Sequence, residues 1–311
     1  MTLATRSGPQ SVKLRNARST QVPTNGPVVP WVLLAPAILF LAVFTVWPSL
    51  NTIRVAFTDT TPLGGGDYIG FDNFAAMAQD PQVVNALLNS VVFMIVCLPL
   101  LIILPLLIAM LVLKALPGIA FFRIAYYTPV IASAVVVGLV WQWMLNDRGL
   151  INNLALQLGV LQTPMPFLTE RWLLILSAIA LTVWQGLGYY MIIYMAALGN
   201  VDRNLYEAAA VDGAGAIRRF ISVTIPGVRR TMTLIGILVS VSALRVFSEI
   251  YVLSGGTGGP GGQAMTLVML IQQYSRGFFG DLGYAATLSI LLFLVTLVPL
   301  IVLARLNKGD D

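Results

Sequence analysis

The stretch Glu207-Ala-Ala-Ala-Val-Asp-Gly-Ala-Gly-Ala-Ile-Arg-Arg-Phe-Ile-Ser-Val-Thr-Ile-Pro226 lies between two long apolar runs. A small-residue, charged segment in that position belongs in water between two membrane helices. Asp202 can cap a short helix carrying Leu205, Ala208 and Ala209. Asp212-Gly213 then supplies a turn, because glycine tolerates the positive φ that ends a helix. Ile217, Phe220, Ile221 and Thr224 recur at helical spacing, and Pro226 is expected to stop or restart the chain. The expectation is two short helices with a turn between them. They carry an alanine patch flat enough for another protein to approach, with one acid, Glu207, at its edge.

Working outward, composition bounds the class independently. Hydrophobic residues make up 58% and charged residues 10%, against about 25% charged in a soluble domain. Mean hydropathy is +0.85, as expected of a polytopic membrane protein with runs long enough for helices rather than barrel strands. The pI near 9.5 could indicate nucleic acid, but the placement of charge fits membrane orientation better. Cys97 is the single cysteine, so no disulfide forms within the chain, and there is no histidine. That removes the commonest general base and metal ligand, so neither a catalytic group nor a metal site is expected.

Six charge-poor runs are each long enough to cross an apolar core of about 30 Å. They are 31–53, 84–112, 124–145, 172–198, 232–253 and 284–304. The first lacks a small-residue cleavage site and exceeds a signal-peptide core, so a retained span is expected. With the N-terminus in the cytoplasm, Arg6, Lys13, Arg15, Arg18, Lys114, Arg123, Arg203, Arg218, Arg219, Arg229, Arg230, Arg305 and Lys308 all face inside. Only Arg54, Arg148, Arg171 and Arg276 face outside, and Arg245 lies within a span. Under the positive-inside rule this puts both termini and the Glu207 loop in the cytoplasm. The expected division is a disordered tail over 1–30, a permease domain over 31–304 with its loop at 201–229, and a short cytoplasmic tail over 305–311.

The Glu207 segment resembles the "EAA" loop of permease subunits of bacterial ATP-binding-cassette importers. Glu207, Ala208, Ala209, Asp212, Gly213, Ala214, Phe220 and Pro226 fall on that pattern. The resemblance is greatest to the sugar and glycerol-phosphate (MalF/UgpA-like) class, and it extends to Trp141-Gln-Trp-Met144, to Phe247 through Gly256 with Gly259-Pro260, and to Gly283-Tyr-Ala-Ala286. It implies an all-α, type I importer permease fold of about six spans in the bacterial plasma membrane. It also implies that these eight residues couple the chain to a cytoplasmic ATPase, with Glu207 as the anchoring acid. The implied partners are a second related permease (MalG/UgpE-like), a homodimeric MalK-like ATPase and an extracytoplasmic solute-binding protein. ATP and magnesium would sit on the ATPase. The glycine-dense loop Gly255–Gly262 lacks the Gly-Lys-Ser/Thr that a nucleotide loop needs, so no cofactor is expected on this chain.

Polar residues inside spans are costly and therefore candidates for a solute path. Arg245 and Glu249 are spaced i, i+4 on the expected fifth span, beside Ser242 and Ser248. That spacing allows a self-neutralising ion pair or a pair of cavity contacts. On the fourth span Thr182, Gln185 and Tyr189 share a face, with Trp184 adjacent, and Gly186 and Gly188 permit close helix approach. Gln185, Tyr189 and Trp184 combine hydrogen-bonding groups with an aromatic face, as a sugar site would require; interhelical packing is the plainer alternative. Trp31, Trp141, Trp143 and Trp172 read as interfacial anchors, and Pro105 and Pro299 as kinks. Two other functions stay open: import of amino acids or peptides, and an ion-coupled secondary transporter, which would need inverted repeats and a mid-membrane carboxylate.

Overall fold

The computed structural model describes residues 28–113, 117–277 and 280–307. Residues 1–27 of the expected N-terminal tail, Lys114 and Lys308 lie outside the described residues. The chain divides into units 1–51 and 52–311. The first holds α1 (Val28–Leu41), a π-helical turn at Ala42–Val46 and the start of α2 (Trp47–Val55). Trp47 N–H bonds back to the Ala42 carbonyl across that turn. Pro48, next in the chain, has no N–H to give and its ring would strike a carbonyl in α register. A wider turn just ahead of the proline relieves this.

In the second unit, residues 58–68 cross over themselves through an antiparallel bridge between Thr58 and Tyr68. They lead to α3 (Asp72–Gln79) and the long α4 (Pro81–Leu113), which continues through Pro99 and Pro105. Next come α5 (Ile119–Ile131), α6 (Ala134–Leu145), α7 (Leu150–Gln157) and α8 (Arg171–Gly199). The loop around Glu207 follows as α9 (Arg203–Val211) and α10 (Ala216–Arg219). The remainder is α11 (Ile225–Leu244), α12 (Ser248–Leu253), α13 (Leu267–Ser275) and α14 (Leu282–Asn307).

Among the described residues five helices are long and apolar enough to span, and a sixth segment, residues 119–157, is bent by 100° at residues 132–133. Whether it crosses or turns back follows from its neighbours. Asn89, near the start of α4, bonds to Arg171 at the start of α8. Farther along, Gly186 of α8 faces the Leu101 side chain of α4. These two helices therefore run parallel, and the chain between them must return to the side it left. Arg123 donates twice to the Val112 carbonyl, at 3.0 and 2.6 Å, which holds α5 at the far end of α4. The bent segment is thus one crossing, making six. The third span, expected over 124–145, is broken at residues 132–133. Ala132 is extended at ψ 139°, and Gln185 Nε2 donates at 3.0 Å to the Ala132 carbonyl exposed by the break.

The fifth span differs more. Residues 216–244 form one continuous helix, so Pro226 does not stop the chain. A π turn at Phe220–Thr224, closed by Ile225 N–H to the Phe220 carbonyl, precedes the proline. It makes the same accommodation as the turn before Pro48. The helix then ends at Leu244 rather than 253, and Arg245–Phe247 separate it from α12. Thr266 secures the break: its hydroxyl donates to the Val246 carbonyl at 2.8 Å while capping α13.

Phe93, Leu101 and Leu106 of α4, Leu174, Leu181 and Tyr194 of α8 and Ile235 and Val239 of α11 form the packed centre. In a bilayer, lipid is as apolar as these side chains, so contact geometry and satisfied polar groups hold the helices together. Asn89 is fully buried. Its amide donates to the Gln263 and Met265 carbonyls at 2.8 and 2.7 Å, and its oxygen accepts from Arg171 Nε and Nη2 at 3.1 and 2.8 Å. Replacing it would strand a guanidinium and two carbonyls, at about 1–3 kcal/mol for each unpaired group. Asn89→Leu is expected to loosen the 258–266 loop, read as faster amide exchange there and a lower unfolding temperature. Unchanged exchange would show that the amide is dispensable.

Candidate functional site

The Glu207 segment is built as a capped helix and a turn. Asp202 Oδ1 accepts from Asn204 N at 2.9 Å and starts α9. The helix closes when Ala214 N–H reaches the Ala209 carbonyl at 2.9 Å and Gly213 N–H the Ala210 carbonyl at 3.1 Å. Gly213 has φ +76°, so this is the paired-bond termination that favours glycine. Tyr206 hydroxyl lies 3.1 Å from Thr224 Oγ1, bracing α9 against the π turn. That contact spans eighteen residues and has no local signal in the sequence.

Glu207, Ala208, Asp212 and Gly213 are exposed, whereas Ala209 and Ala214 are half-buried. Four large apolar side chains flank them in the open: Leu205 at 53%, Val211 at 88%, Ile217 at 77% and Ile221 at 58% exposure. Phe220 turns inward and packs against the core, and Thr224 is buried. The expected common helical face of Ile217, Phe220, Ile221 and Thr224 is therefore split into an outward and an inward pair. Sequence reasoning singled out the alanines and missed these four exposed apolar side chains, because spacing alone does not say which face meets solvent.

The second candidate region lies between α4, α8 and the break after α11. A cavity of about 230 Å³ brings together Thr182, Ser242, Arg245, Phe247, Ser248 and Glu249. Arg245 is the C-cap of α11 and Glu249 lies in the first turn of α12. The expected shared helix face is thus corrected: the helix ends between them, and they line one cavity from either side of an unwound turn. Irregular backbone at such depth is tolerated where it lines a cavity.

Gln185, Tyr189 and Trp184 do not line that cavity. Gln185 is engaged with Ala132. Trp184 and Tyr189 are 41% and 48% exposed on the outer side of α8. Trp141, read as an anchor, instead packs against Trp184 with ring centroids 5.9 Å apart. Trp31 and Trp143 are exposed. The Arg171 guanidinium sits 4.6 Å over the Trp172 ring, a cation–π contact at the start of α8.

Comparison with known proteins places this architecture. Residues 74–309 match the model of the family described as binding-protein-dependent transport system inner membrane component. The lactose transport system permease protein LacF of Rhizobium radiobacter is 33% identical over 273 residues, covering 86% of this chain and 90% of the relative. The sn-glycerol-3-phosphate transport system permease protein UgpA of Escherichia coli O6:K15:H31 is 27% identical over 284 residues, covering 90% and 94%. In fold, the chain is similar to one in the crystal structure of a bacterial alginate ABC transporter in complex with an alginate pentasaccharide-bound periplasmic protein. The TM-score is 0.73 at 21% identity, over 90% of this chain and 93% of the other. The chain belongs to the family of binding-protein-dependent transport system inner membrane components.

Proposed function

We propose that this chain is one of two related permease subunits of an importer for a sugar or glycerol-phosphate-type solute, driven by a separate ATPase. The observation that carries the ATPase reading is the exposure of large apolar side chains near Glu207 in the chain: Leu205 and Val211 on the same short helix, and Ile217 and Ile221 at the start of the helix that runs on into the fifth span. Exposed apolar residues grouped beside a charge mark a protein contact rather than a solvated loop. Glu207, Ala208, Ala209, Asp212, Gly213 and Ala214 form the docking segment. Phe220 and Pro226 act behind it, by seating the segment on the helix that continues into α11.

In this reading the Glu207 end is cytoplasmic and the 255–262 loop faces a solute-binding protein outside. ATP binding closes the ATPase dimer and carries the docked segments with it. Since 216–244 is one rigid helix, that motion reaches the break at Arg245–Phe247 directly. ATP supplies the bias between inward-open and outward-open states. Ser242, Arg245 and Glu249 are proposed to face the solute path. Trp184 and Tyr189 are proposed to face it from the outer side of α8, where the second permease completes the wall, with Gln185 holding the bend behind them. The solute class rests on the similarity to lactose and glycerol-phosphate permeases.

The test is to purify the tagged chain from its native membrane and reconstitute what accompanies it. Recovery of a second permease and an ATPase, with uptake that needs both ATP and a binding protein, is the expected result. A chain that purifies alone and transports without ATP would overturn the proposal.

A further inference from the structure

An open cavity of about 810 Å³ lies where the end of α6 meets the start of α8 and the end of α12. Its size falls within the range of small-molecule sites, about 300–1,000 Å³. The wall is a built structure. Asn152, fully buried, donates to the Asn146 and Met165 carbonyls at 3.2 and 3.0 Å and accepts from Met165 N at 2.8 Å. Gly149 N–H closes the turn onto Asn146 at 2.7 Å. These bonds hold the 146–149 turn against the neighbouring loop.

The lining combines Trp143, Gln142, Asn146, Arg148, Thr169 and Ser254. Trp143 is 82% exposed, so its indole face is available. No hydrogen bond within the described residues engages the Arg148 guanidinium or the Thr169 hydroxyl. The lining contains one cation and no carboxylate. We propose that this cavity is an outer subsite for a pyranose bearing a carboxylate, met by the solute before it enters the spanning path. Arg148 would take the carboxylate through two parallel N–H bonds. Gln142, Asn146 and Thr169 would take ring hydroxyls, and Trp143 would cover the apolar face of the ring. One guanidinium balances one uronate charge, whereas a phosphate monoester carries roughly 1.5–2 negative charges. The proposal rests on the reading above that this end faces outward and that the solute is a sugar.

The test uses the complete importer in lipid nanodiscs, without its binding protein, titrated separately with trigalacturonic acid, maltotriose and glucose 6-phosphate. Trigalacturonic acid is expected to bind about tenfold more tightly than maltotriose, with Arg148→Gln abolishing the difference. Trp143→Leu is expected to weaken both trisaccharides. Equal affinities in the wild type, tighter binding of glucose 6-phosphate, or an Arg148→Gln complex that still prefers the uronate would each overturn the subsite. So would sugar binding unchanged by Arg148→Gln together with lost stimulation by the binding protein, which would make Arg148 a protein contact. ATP-driven uptake by the same wild-type complex is scored separately in proteoliposomes. If uptake is present and uronate binding absent, only the subsite fails; if uptake itself is absent, the importer reading fails.

Discussion

Glu207→Arg is expected to leave the chain in the membrane with its second permease and to strip the ATPase from it. Glu207 is exposed, and arginine is as good a helix former as glutamate, so α9 survives the change. What changes is the sign of the charge beside the Leu205–Val211 apolar surface. Reversing a charge at the centre of a protein contact typically costs 2 kcal/mol or more, so retained ATPase should fall roughly thirtyfold or further. Glu207→Gln, which keeps shape and removes only the charge, should lose less. Quantifying ATPase recovered per tagged chain separates the outcomes. Full recovery with the arginine variant would rule out Glu207 as the anchor and leave the exposed apolar side chains to be tested by Val211→Asp.

Gly188→Val should prevent a stable chain from accumulating. A Cβ at position 188 would lie 2.8 Å from Tyr127 Cα and closer still to the Tyr126 carbonyl. These are backbone atoms of α5, which cannot swing aside as a side chain does. The seam between α5 and α8 would have to open, and Gln185 would lose its hold on Ala132. Forced overpacking of this kind costs about 1–3 kcal/mol and sometimes more. Gly186→Ala provides the contrast, since the nearest neighbours of its added methyl are side-chain atoms, of Leu101 at 2.9 Å and Tyr190 at 3.5 Å. Comparing detergent-solubilised yield and unfolding temperature should give a severe loss for Gly188→Val and a mild one for Gly186→Ala. Equal effects would show that α5 and α8 do not touch at Gly188.

Family membership favours the importer reading over an ion-coupled transporter, and the relatives favour a sugar-type solute over amino acids or peptides. The importer reading was legible in the resemblance carried by Glu207 through Pro226, and the sugar class in the pattern from Phe247 to Gly256, because both are patterns within one segment. The long apolar runs were legible for the same reason, since length and lack of charge within one segment suffice to span a bilayer.

What the sequence could not supply were the places where one segment answers another. Arg245 and Glu249 have helical spacing, yet the helix ends between them, and Thr266 satisfies the Val246 carbonyl in the break from twenty residues away. The third span bends beside a glutamine fifty-three residues farther on, which accepts the cost of its free carbonyl. Ile217 and Phe220 share a pattern but not an environment. The sequence by itself determined an all-helical membrane chain with a capped helix and glycine turn at Glu207 to Gly213, because hydropathy, caps and turns act within a few residues. Only the tertiary structure decided where helices break, which loop side chains stay exposed and which polar groups line a cavity, because these depend on distant partners that satisfy or abandon a backbone bond.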